Sequence, residues 1–218
     1  VPYSTDEKDI QYLFFSTKNG LVKRTPVSEF ESIQKNGKKA ITLREDDELA
    51  FVKGTHGDDE IILAGSNGKA IRFNENTIRP LGRTSMGVKG FNIDGGSVVG
   101  MAVDYEGKYL LTVTENGYGK QTPIEEFRIV NRGAKGVKAL NITDKTGNLI
   151  CLKAVNGDED CILMSDDGIV IRISLSQVNT HGRASSGVKL INLKEGSKVS
   201  NISILEPEVE EEIETTEE

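Results

Sequence analysis

The chain has no tryptophan, two cysteines, five prolines and only 6% aromatic residues. Each shortage excludes something. Cys151 and Cys161 make neither a multi-disulfide framework nor a CxxC pair. Both lie in apolar, strand-like runs and read as small core residues in a reducing compartment. His56 and His181 stand singly in turn-like stretches, so no metal-ligand or acid–base cluster forms around them. No apolar run approaches the ~18–20 residues of a membrane-spanning helix. No basic-then-apolar segment opens the chain. The first residue is not Met, so the chain is expected to be a piece of something longer. There is no GxxxxGK[ST] phosphate loop. Asp46-Asp47-Glu48 and Asp158-Glu159-Asp160 lack EF-hand spacing and read as solvated turns. Tyr3, Tyr12, Tyr105, Tyr109 and Tyr118 fall in strand or edge positions with no activating set, and read as packing residues. No catalytic residue is expected in this chain.

What is abundant is glycine, 23 in 218 residues, and charge that is unevenly placed. The formal net charge is −7, but residues 206–218 hold eight Glu and no cation. That segment reads as a disordered acidic tail. The remainder carries 27 basic against 26 acidic residues and is close to neutral. The tail has two readings, a solubilising end or an acidic competitor for a basic surface.

A repeat organises the rest. An Asn-Gly or Asp-Gly turn ends at Gly20, Gly68, Gly117 and Gly168, at spacings of 48, 49 and 51. A second marker, Gly37, Gly87, Gly136 and Gly187, keeps spacings of 50, 49 and 51. Two independent markers with one period define four copies, at about 11–59, 60–108, 109–160 and 161–205. Each begins with an apolar run (QYLFFST, EIILAGS, YLLTVTE, CILMSD), a hairpin signal and a second strand (LVKRT, KAIRF, YGKQT, IVIRI). The dipeptide predicts a type I′ turn. The second strand alternates apolar and basic residues, which predicts one packed and one solvated face. A polar or Pro-led bend, a basic glycine phrase and two more strands complete the unit. Four strands per ~50 residues, repeated, predict an all-β protein of propeller-like blades.

The glycine phrases are GRTSMGVKG (82–90), NRGAKGVKA (131–139), GRASSGVKL (182–190) and a worn QKNGKKAIT (34–42). Windows 32–44, 79–90, 128–138 and 179–189 hold 13 cations and no acid. These are Lys35, Lys38, Lys39, Arg44, Arg79, Arg83, Lys89, Arg128, Arg132, Lys135, Lys138, Arg183 and Lys189. In a radial repeat, equivalent loops fall on one rim and would form a discontinuous positive band. Arg24 (or Lys23), Arg72, Lys120 and Arg172 on the second strands would flank it. Such a band, with glycines allowing close backbone approach, suits a phosphate backbone. No base-reading set is visible, which points to sequence-independent binding. Few aromatics favour duplex over single strands. A propeller that binds protein, its basic loops serving only solubility, is the other reading the residues leave open.

The phrases TKNGLVKRTPVSEF, IRFNENTIRPLGRTSMGVKG, TENGYGKQTPIEEF and GRASSGVKLI carry a resemblance. Over about 1–205 the chain resembles the C-terminal domain of the DNA gyrase A subunit, a β-pinwheel, as its last four blades plus the acidic tail. The related domain of the topoisomerase IV A-type subunit is the alternative. The resemblance implies wrapping of duplex DNA around a basic rim, in support of ATP-dependent negative supercoiling. It implies the rest of the gyrase A subunit and the gyrase B subunit as partners in an A2B2 complex, and a bacterial, cytoplasmic, chromosome-associated location. ATP and Mg would be used by the parent complex, with no cofactor in this chain. The family's box, Gln-Arg-Arg-Gly-Gly-Lys-Gly, is absent. VNRGAKG (130–136) is nearest, keeping Arg132, Gly133, Lys135 and Gly136, with Lys35, Gly37 and Lys38 at the corresponding place in the first copy. The resemblance thus implies a DNA-binding surface without its principal anchor.

Overall fold

The computed structural model describes residues 9–32 and 36–207. Tyr3, Lys35 and most of the acidic tail lie outside them. The first repeat contributes β1 (Tyr12–Thr17), β2 (Leu21–Pro26) and β3 (Leu49–Thr55). The second contributes β4 (Glu60–Gly65), β5 (Lys69–Asn74), the two-residue β6 (Val88–Lys89) and β7 (Val98–Val103). The third contributes β8 (Tyr109–Thr114), β9 (Tyr118–Pro123), β10 (Val137–Lys138) and β11 (Leu149–Val155). The fourth contributes β12 (Asp160–Ser165), β13 (Val170–Ser174), β14 (Val188–Lys189) and β15 (Val199–Leu205).

The sheets do not follow the repeats. Their strand orders are β3-β1-β2-β6, β10-β5-β4-β7, β11-β8-β9-β14 and β13-β12-β15. The second, third and fourth repeats each lend the strand of their glycine phrase to the preceding sheet. Val88 pairs with Val22, Val137 with Ala70 and Val188 with Gly119. The expectation that each copy closes its own four strands is therefore corrected: the third strand of the repeat is exchanged, and the fourth sheet has three strands among the described residues. The phrase's second glycine makes the exchange possible. At Gly87, Gly136 and Gly187 φ is +92°, +70° and +75°, and an added Cβ would lie 2.4, 2.3 and 2.4 Å from the carbonyl oxygens of Val22, Ala70 and Gly119. These glycines serve strand docking.

The hairpin turns differ from type I′ as well. Gly20 has φ +85°, but no non-glycine residue among those described has positive φ. The Gly20 N–H bonds the Thr17 carbonyl at 3.1 Å. This is a type I turn closed by a left-handed glycine. Asn19 keeps its ordinary φ and spends its side chain on the Asp46 carbonyl at 3.1 Å, as Asn67 does on Asp94.

The core lies between sheets. One cluster joins Phe14 and Val22 to Ile61, Leu63 and Phe91, a second joins Ile62 and Ala64 to Leu110 and Phe127, and a third joins Leu111 and Val113 to Cys161 and Leu163. Alternate residues of one strand thus pack against opposite neighbours, and the second and third sheets are covered on both faces. Cys151 and Cys161 are buried free thiols, pushed up by burial to about 11 and about 12. At the far end of the array, Val170 on the edge strand β13 is 56% exposed. Phe51, Val99, Ile150 and Ser200, from β3, β7, β11 and β15, line one cavity of about 180 Å³. Those edges converge, so β6, β10 and β14 lie on the outer edges.

Candidate nucleic-acid interface

The strand exchange carries the basic phrases to the outer edges. Lys89, Lys138 and Lys189 end β6, β10 and β14 and are exposed, as is Lys39 at the same place in the first repeat. Arg44, Arg79, Arg128 and Lys135 are exposed, and Lys38 is half-buried.

Arg83, Arg132 and Arg183 are half-buried, and their geometry shows why. Each guanidinium reaches back to the preceding phrase. Arg83 Nη1 donates to the Lys39 carbonyl at 3.1 Å, Arg132 Nη1 to Lys89 at 3.0 Å, and Arg183 Nη1 to Lys138 at 2.8 Å. The backbone repeats the link: Thr42 N–H to the Ser85 carbonyl, Asn92 to Ala134, and Asn141 to Ser185, at 3.0–3.2 Å. The expected discontinuous band is a stitched strip, each phrase hydrogen-bonded to the next. Acids absent from the sequence windows also arrive in space. Glu29 stands 3.9 Å from Arg83, Asp94 stands 3.3 Å from Lys135, and Glu126 accepts the Arg183 N–H at 3.0 Å.

The second-strand cations do not flank the strip as expected. Lys23 and Lys120 are 0% exposed and Arg24 is buried. The alternation of β2 and β9 reads as amphipathic, but both faces are occupied: Arg24 shares the face of Phe14 and Val22 toward the second sheet, whereas Lys23 and Lys120 point to the opposite face and lie under the glycine phrase of the next repeat. Arg24 Nε donates to the Ile78 carbonyl at 2.6 Å, and its guanidinium stands 3.5 Å from the fully buried Glu75. Arg72 Nη1 donates to the Ile124 and Phe127 carbonyls at 3.0 and 2.9 Å, and its Nε to Glu60 at 2.6 Å. Gln121, at the same repeat position, donates to the Leu175 and Val178 carbonyls, both at 2.8 Å. This position clamps each sheet to the short 3-10 turn of the next. Arg172 is exposed and pairs with Asp160 at 2.5 Å. Glu75 went unnoticed in the sequence. It accepts the N–H groups of Gly57 and Asp59 at 2.7 and 3.0 Å and the Thr55 hydroxyl at 2.7 Å.

The His56 ring and the His181 backbone have local partners, while the His181 Nε2 is buried without a hydrogen bond among the described residues. His56 Nδ1 lies 2.8 Å from Asp59, with its ring edge-on to Tyr105. His181 gives its N–H to the Gln121 carbonyl at 2.8 Å and accepts the Thr122 hydroxyl at its own carbonyl. Tyr105 sits in a 3-10 turn rather than a strand and donates to the Gly54 carbonyl at 2.7 Å.

Four segments of the chain, 11–55, 59–103, 108–156 and 159–206, match the family described as DNA gyrase C-terminal domain, beta-propeller. The chain belongs to the DNA gyrase A C-terminal domain family. The DNA gyrase A subunit of Staphylococcus epidermidis is 46% identical over 200 residues, 90% of this chain and 22% of that protein. That of Staphylococcus aureus strain MRSA252 is 43% identical over 209 residues, 94% of this chain and 24% of that protein. The chain thus spans about a quarter of the length of these relatives. A solved DNA gyrase A C-terminal domain superposes with a TM-score of 0.82 at 27% identity, over 93% of this chain and 68% of that one. A solved C-terminal domain of DNA topoisomerase IV gives 0.84 at 24% identity, over 93% and 64%, and shows the shared fold. The sequence identities favour the gyrase assignment over topoisomerase IV.

Proposed function

We propose that this chain binds duplex DNA along the stitched outer strip, without sequence preference. Within a gyrase complex it would hold the DNA bent, in support of ATP-dependent negative supercoiling. The observation that carries this is the recurrence of Lys39, Lys89, Lys138 and Lys189 at one exposed position per repeat, on phrases joined edge to edge. Lysines at a fixed pitch on a rigid strip match the regular charge of a duplex backbone and release its counterions. Bending costs several kcal/mol, which many phosphate contacts offset. Arg79 and Arg128 extend the surface. Arg83, Arg132 and Arg183 keep donors for phosphate, but their first role is stitching. The rest of the gyrase A subunit and the gyrase B subunit would be partners in a bacterial, cytoplasmic, chromosome-associated complex, which would supply the ATP- and Mg-dependent chemistry.

The test is duplex binding across a salt series, for the chain and for a variant with Lys39, Lys89, Lys138 and Lys189 changed to Ala. A steep fall of log K with log salt is expected, with a slope shallower by about 3 to 4 in the variant. Absence of binding at low salt, or an unchanged slope, overturns the reading and leaves the protein-binding scaffold.

A further inference from the structure

Two lysines lie behind the strip rather than on it. Lys23 Nζ donates to the carbonyls of Gly82 and Arg83 at 3.1 and 2.6 Å. Lys120 Nζ donates to those of Gly182, Arg183 and Ser185 at 2.6, 2.7 and 3.0 Å, and lies 3.2 Å from the Ser185 hydroxyl. In each case one ammonium from the preceding sheet gathers the carbonyls at the crest of a glycine phrase. Such charge-assisted bonds are strong in a water-excluded site. The third phrase has no such support, because Ile71 holds the equivalent place on β5. The phrase sequence follows this difference: GRTSMG lies over Lys23 and GRASSG over Lys120, but NRGAKG over Ile71.

We propose that Lys23 and Lys120 are positioning residues of the interface, each holding the phrase that bears Arg83 or Arg183 in its binding shape without meeting DNA itself. This rests on the DNA-binding reading of the strip. A loop left unordered must be ordered on binding, at a conformational-entropy cost. A loop already held by a buried ammonium avoids that cost at the binding step. Neither lysine has exposed surface with which to reach a phosphate. Losing one should lower affinity while leaving the number of phosphate contacts, and so the salt slope, as it was.

The experiment uses Lys23→Met and Lys120→Met, with Lys138→Ala as an exposed-lysine comparison. Amide hydrogen exchange is read without DNA, and affinity for a mixed-sequence duplex is read across a salt series. Lys120→Met should speed exchange at 182–187 and leave 131–136 unchanged; Lys23→Met should do so at 82–87. Affinity should fall about five- to tenfold at every salt with the slope unchanged. Lys138→Ala should instead lower the slope by about 0.9. Lys120→Gln, which retains a side-chain N–H donor, guards against wider unfolding and should give intermediate exchange. Unchanged exchange at the held phrase, or a slope lowered as in Lys138→Ala, overturns the proposal. If the wild-type chain fails to bind DNA at low salt, the DNA-binding reading falls and the proposal with it. Wild-type binding that neither methionine variant weakens overturns the proposal alone.

Discussion

Gly136→Ala and Gly37→Ala together weigh the strand exchange. Both glycines hold left-handed backbone, at φ +70° and +71°. Alanine costs about 1–2 kcal/mol in that conformation wherever it occurs. At Gly37 no atom of the described residues lies within 4 Å of the added Cβ, so the conformational term is the whole cost. At Gly136 the Cβ would stand 2.3 Å from the Ala70 carbonyl oxygen, which is backbone in a central sheet and cannot swing aside. The phrase must then lift off β5. It loses the Val137–Ala70 and Lys138–Lys69 pairing and opens the fully buried Ala139 and the nearly buried Leu140. Ladder bonds at about 0.5–1.5 kcal/mol each and partial exposure of a leucine add about 2–4 kcal/mol. Gly136→Ala should therefore destabilise the chain by about 3–5 kcal/mol and Gly37→Ala by about 1–2. Urea unfolding followed by circular dichroism reads the difference. Equal losses within about 0.5 kcal/mol would falsify the claim that this glycine exists for docking on the neighbouring sheet.

Three further outcomes follow from the same packing. Burial lowers Lys120 from 10.5 to about 8, with Glu126 opposing and Arg183 adding to the shift; burial does the same to Lys23, between Glu29 and Arg83. The unfolded chain then binds more protons between about pH 8 and 10.5, so the stability of wild type relative to Lys120→Met should rise with pH through that window. A difference that stays flat from pH 7 to 10.5 refutes it. Arg24→Met strands the buried Glu75 carboxylate without its cation and should cost about 3–5 kcal/mol, read as a lowered unfolding midpoint. A loss below about 1 kcal/mol would mean that the backbone N–H groups around Glu75 suffice to hold its charge. Cys151 and Cys161, buried and with raised thiol pKa values, should resist an aromatic disulfide reagent at pH 8 and both react after unfolding. Prompt reaction in the folded chain contradicts the core placement.

The repeat, the all-β class and the rim position of the glycine phrases were legible from the sequence. All three depend on periodicity, and periodicity is local. Gly20 and Gly68 mark their turns because few other residues accept left-handed backbone. The exact turn was not legible, since Asn19 and Asn67 are occupied by the carbonyls of Asp46 and Asp94, each 27 residues away. Nor was the exchange of strands. Val88 and Lys89 form a two-residue strand whose partner, Val22, lies in another repeat, and only the stacking of sheets selects that pairing. Stacking also decided the fate of the second-strand cations. Lys23, Arg24 and Lys120 sit in an alternating pattern that signals a solvated face when a sheet is considered alone. With the next sheet over Arg24, and the next repeat's glycine phrase over Lys23 and Lys120 on the other face, these residues become interior donors to carbonyls of the next repeat. One trace of this was present in the sequence: Lys23 and Lys120 accompany GRTSMG and GRASSG, whereas Ile71 accompanies NRGAKG. Periodicity in the chain is enough to specify four copies of one β unit and where their basic loops recur. Which cations face solvent and which hold the sheets together is set by packing, because it depends on what covers each face of each sheet.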